Sequence, residues 1–324
     1  MTQAEFYAAQ RKAQERFRKL YNKINRGLSE LYKTAANQIA KEIRRLEINR
    51  RGTGLTAVSL RKLESALRKI GAYIAGEAER MIINGIDDTV NITNYPHLKY
   101  LKDGFKNSKK IDFDIIEKIY SQLNTTLIEI TYTRLWTDGY TFVERIWKGI
   151  PANFQQAVKS LVSLGITQGR DILQVAKDLT YYAAHGKEDL MKRYGDLVRG
   201  TAKFKKRIPK YINYKAMKIA RSELYISLQD AAKFQGRLNP AVMWYVWNLT
   251  GGRGEHPCDC PDLAANSPYP ELEVPDYPHP NCLCYITHKI IGRDEFVQDL
   301  ITWDQGIGVP YLDNWYINVY QNVA

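Results

Sequence analysis

The stretch FYAAQRKAQERFRKLYNKINRGLSELYKTAANQIAKEIRRL, residues 6–46, decides the fold class. Phe6, Ala13, Phe17, Leu20, Ile24, Leu28, Leu31, Ala35, Ile39, Ile43 and Leu46 fall mostly three or four positions apart, the spacing of one apolar stripe on an α-helix. Arg11, Lys12, Arg18, Lys19, Lys23 and Lys33 occupy the other faces. A helix of about 45 residues is ~70 Å long at 1.5 Å per residue. Such a length without an internal stop favours a partner lying along it.

Arg51-Gly52-Thr53-Gly54 interrupts the stripe, which resumes at Leu63, Leu67, Ile70, Ile74, Ala78 and Met81. An antiparallel helical hairpin is the expected arrangement. Asn91 to Lys110, with Pro96, Gly104 and the Lys109-Lys110 pair, reads as a polar connector. Asp112 and Asp114 suit the positive end of a following helix, whose apolar face is Ile115, Ile116, Ile119, Leu123, Leu127 and Ile130. The chain turns at Asp138-Gly139. Further helices are expected from Pro151 to Gly165 and from Asp171 to Leu179, with His185-Gly186 closing the segment.

A helix is expected over Tyr214 to Phe234, with Gly236 placed to end it. Beyond it the composition changes. Val242 to Trp247 and Tyr285 to Ile291 read as strands separated by a Gly/Pro-rich loop, with Trp244 and Trp247 as core. Phe296 to Ala324, rich in aromatics and acids, shows no clear period. The expected fold is therefore mainly α: a long N-terminal helical hairpin and a helical middle region, followed by a small α+β, Cys/His-stabilised C-terminal domain. The expected boundaries are 1–110 for a basic helical arm, 111–210 for the middle region and 211–324 for the C-terminal domain.

Charge is unevenly spread. Residues 1–110 hold 23 Lys and Arg against 11 Asp and Glu, whereas residues 111–324 balance. Arg199 to Arg221 carries nine basic residues and no acid, and residues 255–324 carry eleven acids against Lys289 and Arg293. One basic and one acidic end suggest two kinds of partner. Candidate phosphate contacts are Lys19, Lys23 and Arg26 in the first helix and the cluster Lys203, Lys205, Lys206 and Arg207. A solvated surface is the alternative reading of both groups. No apolar run approaches the ~20 residues that cross a bilayer, and the N-terminus has no apolar signal region. No membrane association is expected, and a cytoplasmic site of synthesis is.

All four cysteines lie in two C-x-C pairs, Cys258/Cys260 and Cys282/Cys284, with His256, His279 and His288 nearby. Residues two apart on a strand share a face, so each pair can offer two sulfurs to one point. Tetrahedral zinc takes four such N or S ligands. A Gly/Pro-rich loop with little core of its own has need of such a tie. Structural zinc held by Cys258, Cys260, Cys282 and Cys284 with His279 is the expected site. Two disulfides linking the pairs, or free thiols, are the alternatives.

Ala220-Arg221-Ser222-Glu223, then Trp247, then Cys258-Asp259-Cys260, then Tyr277-Pro278-His279-Pro280-Asn281-Cys282-Leu283-Cys284 resemble the C-terminal domain of the phage head morphogenesis family, the Mu F-like minor head proteins. The sharp motifs cover residues 220–285, and the looser likeness reaches back to about 150. Leu283 stands where that family usually has Arg, and the first Cys pair is closer than in many members. The resemblance implies a non-enzymatic structural protein of a tailed bacteriophage, inside the head near the portal vertex and in the host cytoplasm during assembly. Its implied partners are the portal protein, packaged DNA, and scaffold or capsid proteins. Its implied role is head morphogenesis, genome packaging or DNA ejection.

Three other functions compete. A pure non-specific DNA-binding module would account for the charge. An ADP-ribosyltransferase would use Arg221 with the Glu271-Leu272-Glu273 pair, but the Ser-rich strand expected between them is missing. A His-metal nuclease would draw on His256, Asn281 and His288, but lacks an acid or His beside its general base. Arg221 and Glu223, two apart, do not share a helix face, so each is expected to pair with a different loop group rather than to form an active site.

Overall fold

The computed structural model describes residues 1–48, 54–136, 138–194, 207–250, 259–280 and 282–322. The protein is mainly α-helical, with one small antiparallel sheet and a cysteine cluster toward the C-terminus. The helices used below are α1 (Gln3–Ile43), α2 (Ala57–Gly104), α3 (Phe113–Thr133), α4 (Ile150–Thr167), α5 (Ile172–His185), α6 (Lys187–Tyr194) and α7 (Tyr214–Leu238). Strand β1 (Val242–Asn248), α8 (Cys260–Ala265), strand β2 (Tyr285–Ile290), α9 (Arg293–Asp304) and α10 (Pro310–Trp315) follow.

The stripe on α1 is buried as its spacing requires, with Phe6, Phe17, Leu28, Ala35, Ile39 and Ile43 almost wholly excluded from solvent. Its partner is α2. Phe6 meets His97 and Tyr100 edge-on at 5.2 and 5.6 Å, and a side chain at Gly27 would touch Met81. Those pairings run in opposite directions, as in an antiparallel hairpin. Its turn is closed by a bridge between Ile48 and Leu55 and by Ser59 Oγ accepting from the Glu47 N–H.

Asn91 to Lys110 is not a connector. α2 continues through Pro96 to Gly104. The proline removes one backbone donor, but Val90, Thr93, Asn94, His97, Tyr100 and Leu101 form a buried face on both sides of it. Packing along that face outweighs the single lost hydrogen bond. Gly165 and Gly236 are not helix ends either, because α4 and α7 run past both. A Cβ on Gly165 would stand 2.4 Å from Val175, and one on Gly236 would overlap the Tyr245 ring. Both glycines mark close approaches of neighbouring elements.

The chain packs as two compact units. One comprises residues 1–22, 83–133 and 221–324, and the other residues 23–82 and 134–220. The segments 1–110, 111–210 and 211–324 are thus distributed between both units.

In the second unit, Leu28, Tyr32 and Ile39 of α1, Leu67 and Ile74 of α2, Phe154, Val158 and Leu161 of α4 and Leu179 and Tyr182 of α5 are all buried. Tyr32 packs edge-on against Phe154 at 5.9 Å. Asp171 caps α5 by accepting from the Gln174 N–H, and Gly186 ends it at φ +85°.

In the first unit, the aromatic tail forms α9 and α10. Phe296, Trp303 and Trp315 join Phe6, Tyr100, Phe105 and Tyr120 in one core. The β1–β2 pair is antiparallel, with Tyr245 opposite His288 and Trp247 opposite Ile286. Trp247 is buried, but Trp244 is 42% exposed. Residues three apart on a strand face opposite ways, so only one of the two tryptophans can point into the core.

Candidate metal centre

The candidate site lies in the first unit, where α8, the turn before β2 and α7 meet. Cys260 is the first residue of α8, not part of a strand. Cys282 and Cys284 precede β2. Tyr245, Trp247, Ile286 and Ala232 pack around the three sulfurs, all of which are buried.

The three sulfurs lie within 4.8 Å of one another, close enough to hold one metal ion. Cys260 Sγ is 3.6 Å from Cys282 Sγ and 3.3 Å from His279 Nε2. In a tetrahedral site with metal–sulfur bonds of ~2.3 Å, neighbouring ligand atoms stand ~3.5–3.8 Å apart. Cys260 therefore occupies a corner next to both. His279 Nδ1 lies 3.1 Å from the Pro280 carbonyl. A carbonyl only accepts, so the proton is on Nδ1 and the Nε2 lone pair faces the Cys260 sulfur. That is the usual outer contact of a metal-bound histidine. Three soft sulfurs suit a borderline-soft divalent ion, whereas the His279 ring adjoins Cys260 without lying within 4.8 Å of all three sulfurs.

The backbone of the cluster is held from outside. Gln229 of α7 donates to the Cys284 carbonyl at 3.0 Å, and the Tyr277 hydroxyl donates to the Cys282 carbonyl at 2.9 Å. Ser222 of α7 also hydrogen-bonds Tyr277. The Cys282 N–H bonds the His279 carbonyl at 3.2 Å, closing a tight turn around Pro280. Gln229 was not anticipated from the sequence; its one signal is a polar residue among the buried positions of α7. Hydrogen bonding from Cys282 is the largest influence holding the Cys284 thiol down, and the same contact together with burial pushes Cys282 up. The cluster thus favours a thiolate at Cys284, and a cation among the sulfurs would remove the cost of ionising the others.

Cys260, Cys282 and Cys284 are free thiols, so two disulfides linking the C-x-C pairs do not describe this site. Cys258, His256 and Asn281 lie outside the described residues, as do Lys203, Lys205 and Lys206. His288 is not part of the cluster. It is buried in the core, with Nε2 bonded to the Ala232 carbonyl and its ring 4.8 Å from that of His97. Arg221 Nε donates to the Tyr21 hydroxyl of α1 at 2.7 Å rather than to a loop group, and Glu271 pairs with Arg237 at 2.9 Å. Glu223 is fully buried close to Tyr277. Lys19, Lys23 and Arg26 are exposed on α1, and Arg207 is exposed in the second unit. No helix among the described residues is long and apolar enough to cross a membrane.

Neither a family model, a curated protein nor a solved structure matches the chain.

Proposed function

We propose that this protein is a minor head protein of a tailed bacteriophage, associated with the portal vertex and acting in head morphogenesis, genome packaging or DNA ejection. The role is structural rather than catalytic. The observation that carries the reading is the meeting of motif pieces that lie about 60 residues apart in sequence. Ser222, from Ala220-Arg221-Ser222-Glu223, touches Tyr277, and Tyr277 holds the Cys282 backbone of His279-Pro280-Asn281-Cys282-Leu283-Cys284. Through Tyr277, Ser222 of the first motif is thus linked to the cysteine-bearing one.

The ion is zinc, bound by Cys260, Cys282, Cys284 and His279, with Cys258 as the other candidate ligand. Its part is to cross-link α8 to the approach of β2, in a segment with a small core of its own.

A second reading, a non-specific DNA-binding protein, draws support from Lys19, Lys23 and Arg26, spaced four and three apart on α1 and all exposed. The test separates the two. The tagged chain is co-expressed with the portal protein of the same phage genome and captured at high salt after nuclease treatment. Co-elution of portal, and the chain's presence in purified heads by mass spectrometry, is expected. A chain that elutes alone and is missing from heads would overturn the assembly reading.

A further inference from the structure

Within the first unit, α1 and α2 leave a cleft of about 350 Å³ at the surface. Ala8, Ala9, Ala13 and Ile92 line its apolar part, while Lys12, Arg16 and Lys99 bring three cations to it. All three cations are exposed, and none forms an ion pair among the described residues. Tyr95 lies at the same cleft, 51% exposed, with the Lys99 ammonium 6.0 Å from its ring centroid. The lining includes one acid, Glu5, whose carboxylate accepts from the Thr2 N–H at 2.7 Å and whose acidity is strengthened chiefly by that bond. It is thus already engaged at its own helix start.

We infer that this cleft binds a nucleotide unit, with the phosphate at Lys12, Arg16 and Lys99 and the base against Tyr95. Lys99 also feels the charges of Glu5 and Asp103, but none of the three cations is held in an ion pair among the described residues. Three cations at one cleft suit a multiply charged oxyanion better than a single carboxylate. The exposed ring offers a planar base a face to stack on, which an acidic peptide would not use. The volume is that of a small ligand rather than a groove for a folded partner. The unit can be a free nucleotide or one residue of a strand, because both present the same phosphate and base. The site is separate from the cysteine cluster and does not depend on portal association.

The test uses the full chain and fluorescence anisotropy with labelled ATP and a labelled oligothymidylate, each over a range of salt. The variants are K12Q/R16Q/K99Q, Y95A and a control of equal charge loss, K106Q/K118Q/K289Q, all checked for unchanged circular dichroism. The cleft triple variant is expected to lose about tenfold or more in affinity and to lower the salt slope by about two to three. Y95A is expected to weaken binding about fivefold or more without changing the slope. Tight binding of both probes indicates a free-nucleotide site, and binding of the oligonucleotide alone a strand site; either supports the cleft. Equal losses in the cleft and control variants would overturn it, as would polyglutamate competing as well as the oligonucleotide with Y95A unaffected. Loss of nucleotide binding in a triple variant that still captures portal leaves the assembly reading intact. Loss of portal with nucleotide binding kept does the reverse.

Discussion

The side-chain amide of Gln10 makes both backbone hydrogen bonds of His288. Its Nε2 donates to the His288 carbonyl at 3.0 Å, and its Oε1 accepts from the His288 N–H at 2.9 Å. A residue of α1 thereby does for β2 what a third strand would do. This ties the start of the chain to the strand that follows the cysteines. Gln10→Ala leaves two buried strand groups unpaired, and each unsatisfied group costs about 1–3 kcal/mol. The expected loss is about 2–4 kcal/mol by urea denaturation. A loss under about 0.5 kcal/mol would show that the contact contributes little.

The same histidine makes the first unit sensitive to acid. The groups facing His288 are His97 from α2, Tyr245 from β1, the Ala232 carbonyl from α7 and Gln10 from α1, and none is a carboxylate. Burial, opposed only by the Ala232 contact, lowers the His288 pKa to about 4. Burial first, then the neighbouring His288, lowers that of His97. A folded-state value below the unfolded value of about 6.5 means that the unfolded chain binds more protons between the two. Stability is therefore full above pH ~6.5 and falls as pH drops toward 4, by about 3 kcal/mol for His288. Denaturation midpoints at pH 7 and pH 4.5 should differ in that direction, and His288→Gln should flatten the dependence.

Asp178 is completely buried in the second unit. It accepts from Arg170 at 2.9 Å, from Gln174 at 3.0 Å and from the Tyr194 hydroxyl at 2.9 Å. Removing the carboxylate strands a guanidinium that also stacks on Tyr194. Asp178→Ala is expected to cost about 3–5 kcal/mol, and Tyr194→Phe about 1 kcal/mol. Equal effects in thermal melts would contradict this ranking.

Gly236 is expected to tolerate no side chain. Its Cβ position coincides with the Tyr245 hydroxyl region, and Tyr245 packs beside the cysteines. Gly236→Ala should destabilise by about 1–3 kcal/mol through overpacking, although alanine is the better helix former. The paired variant Gly236→Ala/Tyr245→Phe should recover part of that loss. A neutral or stabilising Gly236→Ala would place Tyr245 elsewhere.

The hairpin and the two strands were legible because their signals are local: a stripe of period 3.6 from Phe6 to Leu46, and two β-branched, aromatic runs. The helical course of Asn91 to Gly104 was not. A proline and several polar residues masked a buried face that exists only once α3 and α7 are present, as Gln235 shows by donating to Thr93 and Asn94. Phe296 to Tyr320 was illegible for a related reason. Its helices are short, and their aromatics fill a core assembled from Phe6, Tyr100 and Phe105. At the candidate site, Cys260, Cys282, Cys284 and His279 were recognisable by residue type and spacing. Gln229 and Gln10 were not, because a glutamine that satisfies a distant backbone has no sequence signature.

The metal centre is tested most directly by elemental analysis of the purified full chain, combined with thiol titration before and after chelation. One zinc per chain is expected, with thiols that become reactive when the metal is stripped. Cys260→Ala or Cys282→Ala should abolish retention, whereas His279→Ala weakens it. Folded protein with no bound metal, and thiols equally reactive with or without chelator, would contradict the account.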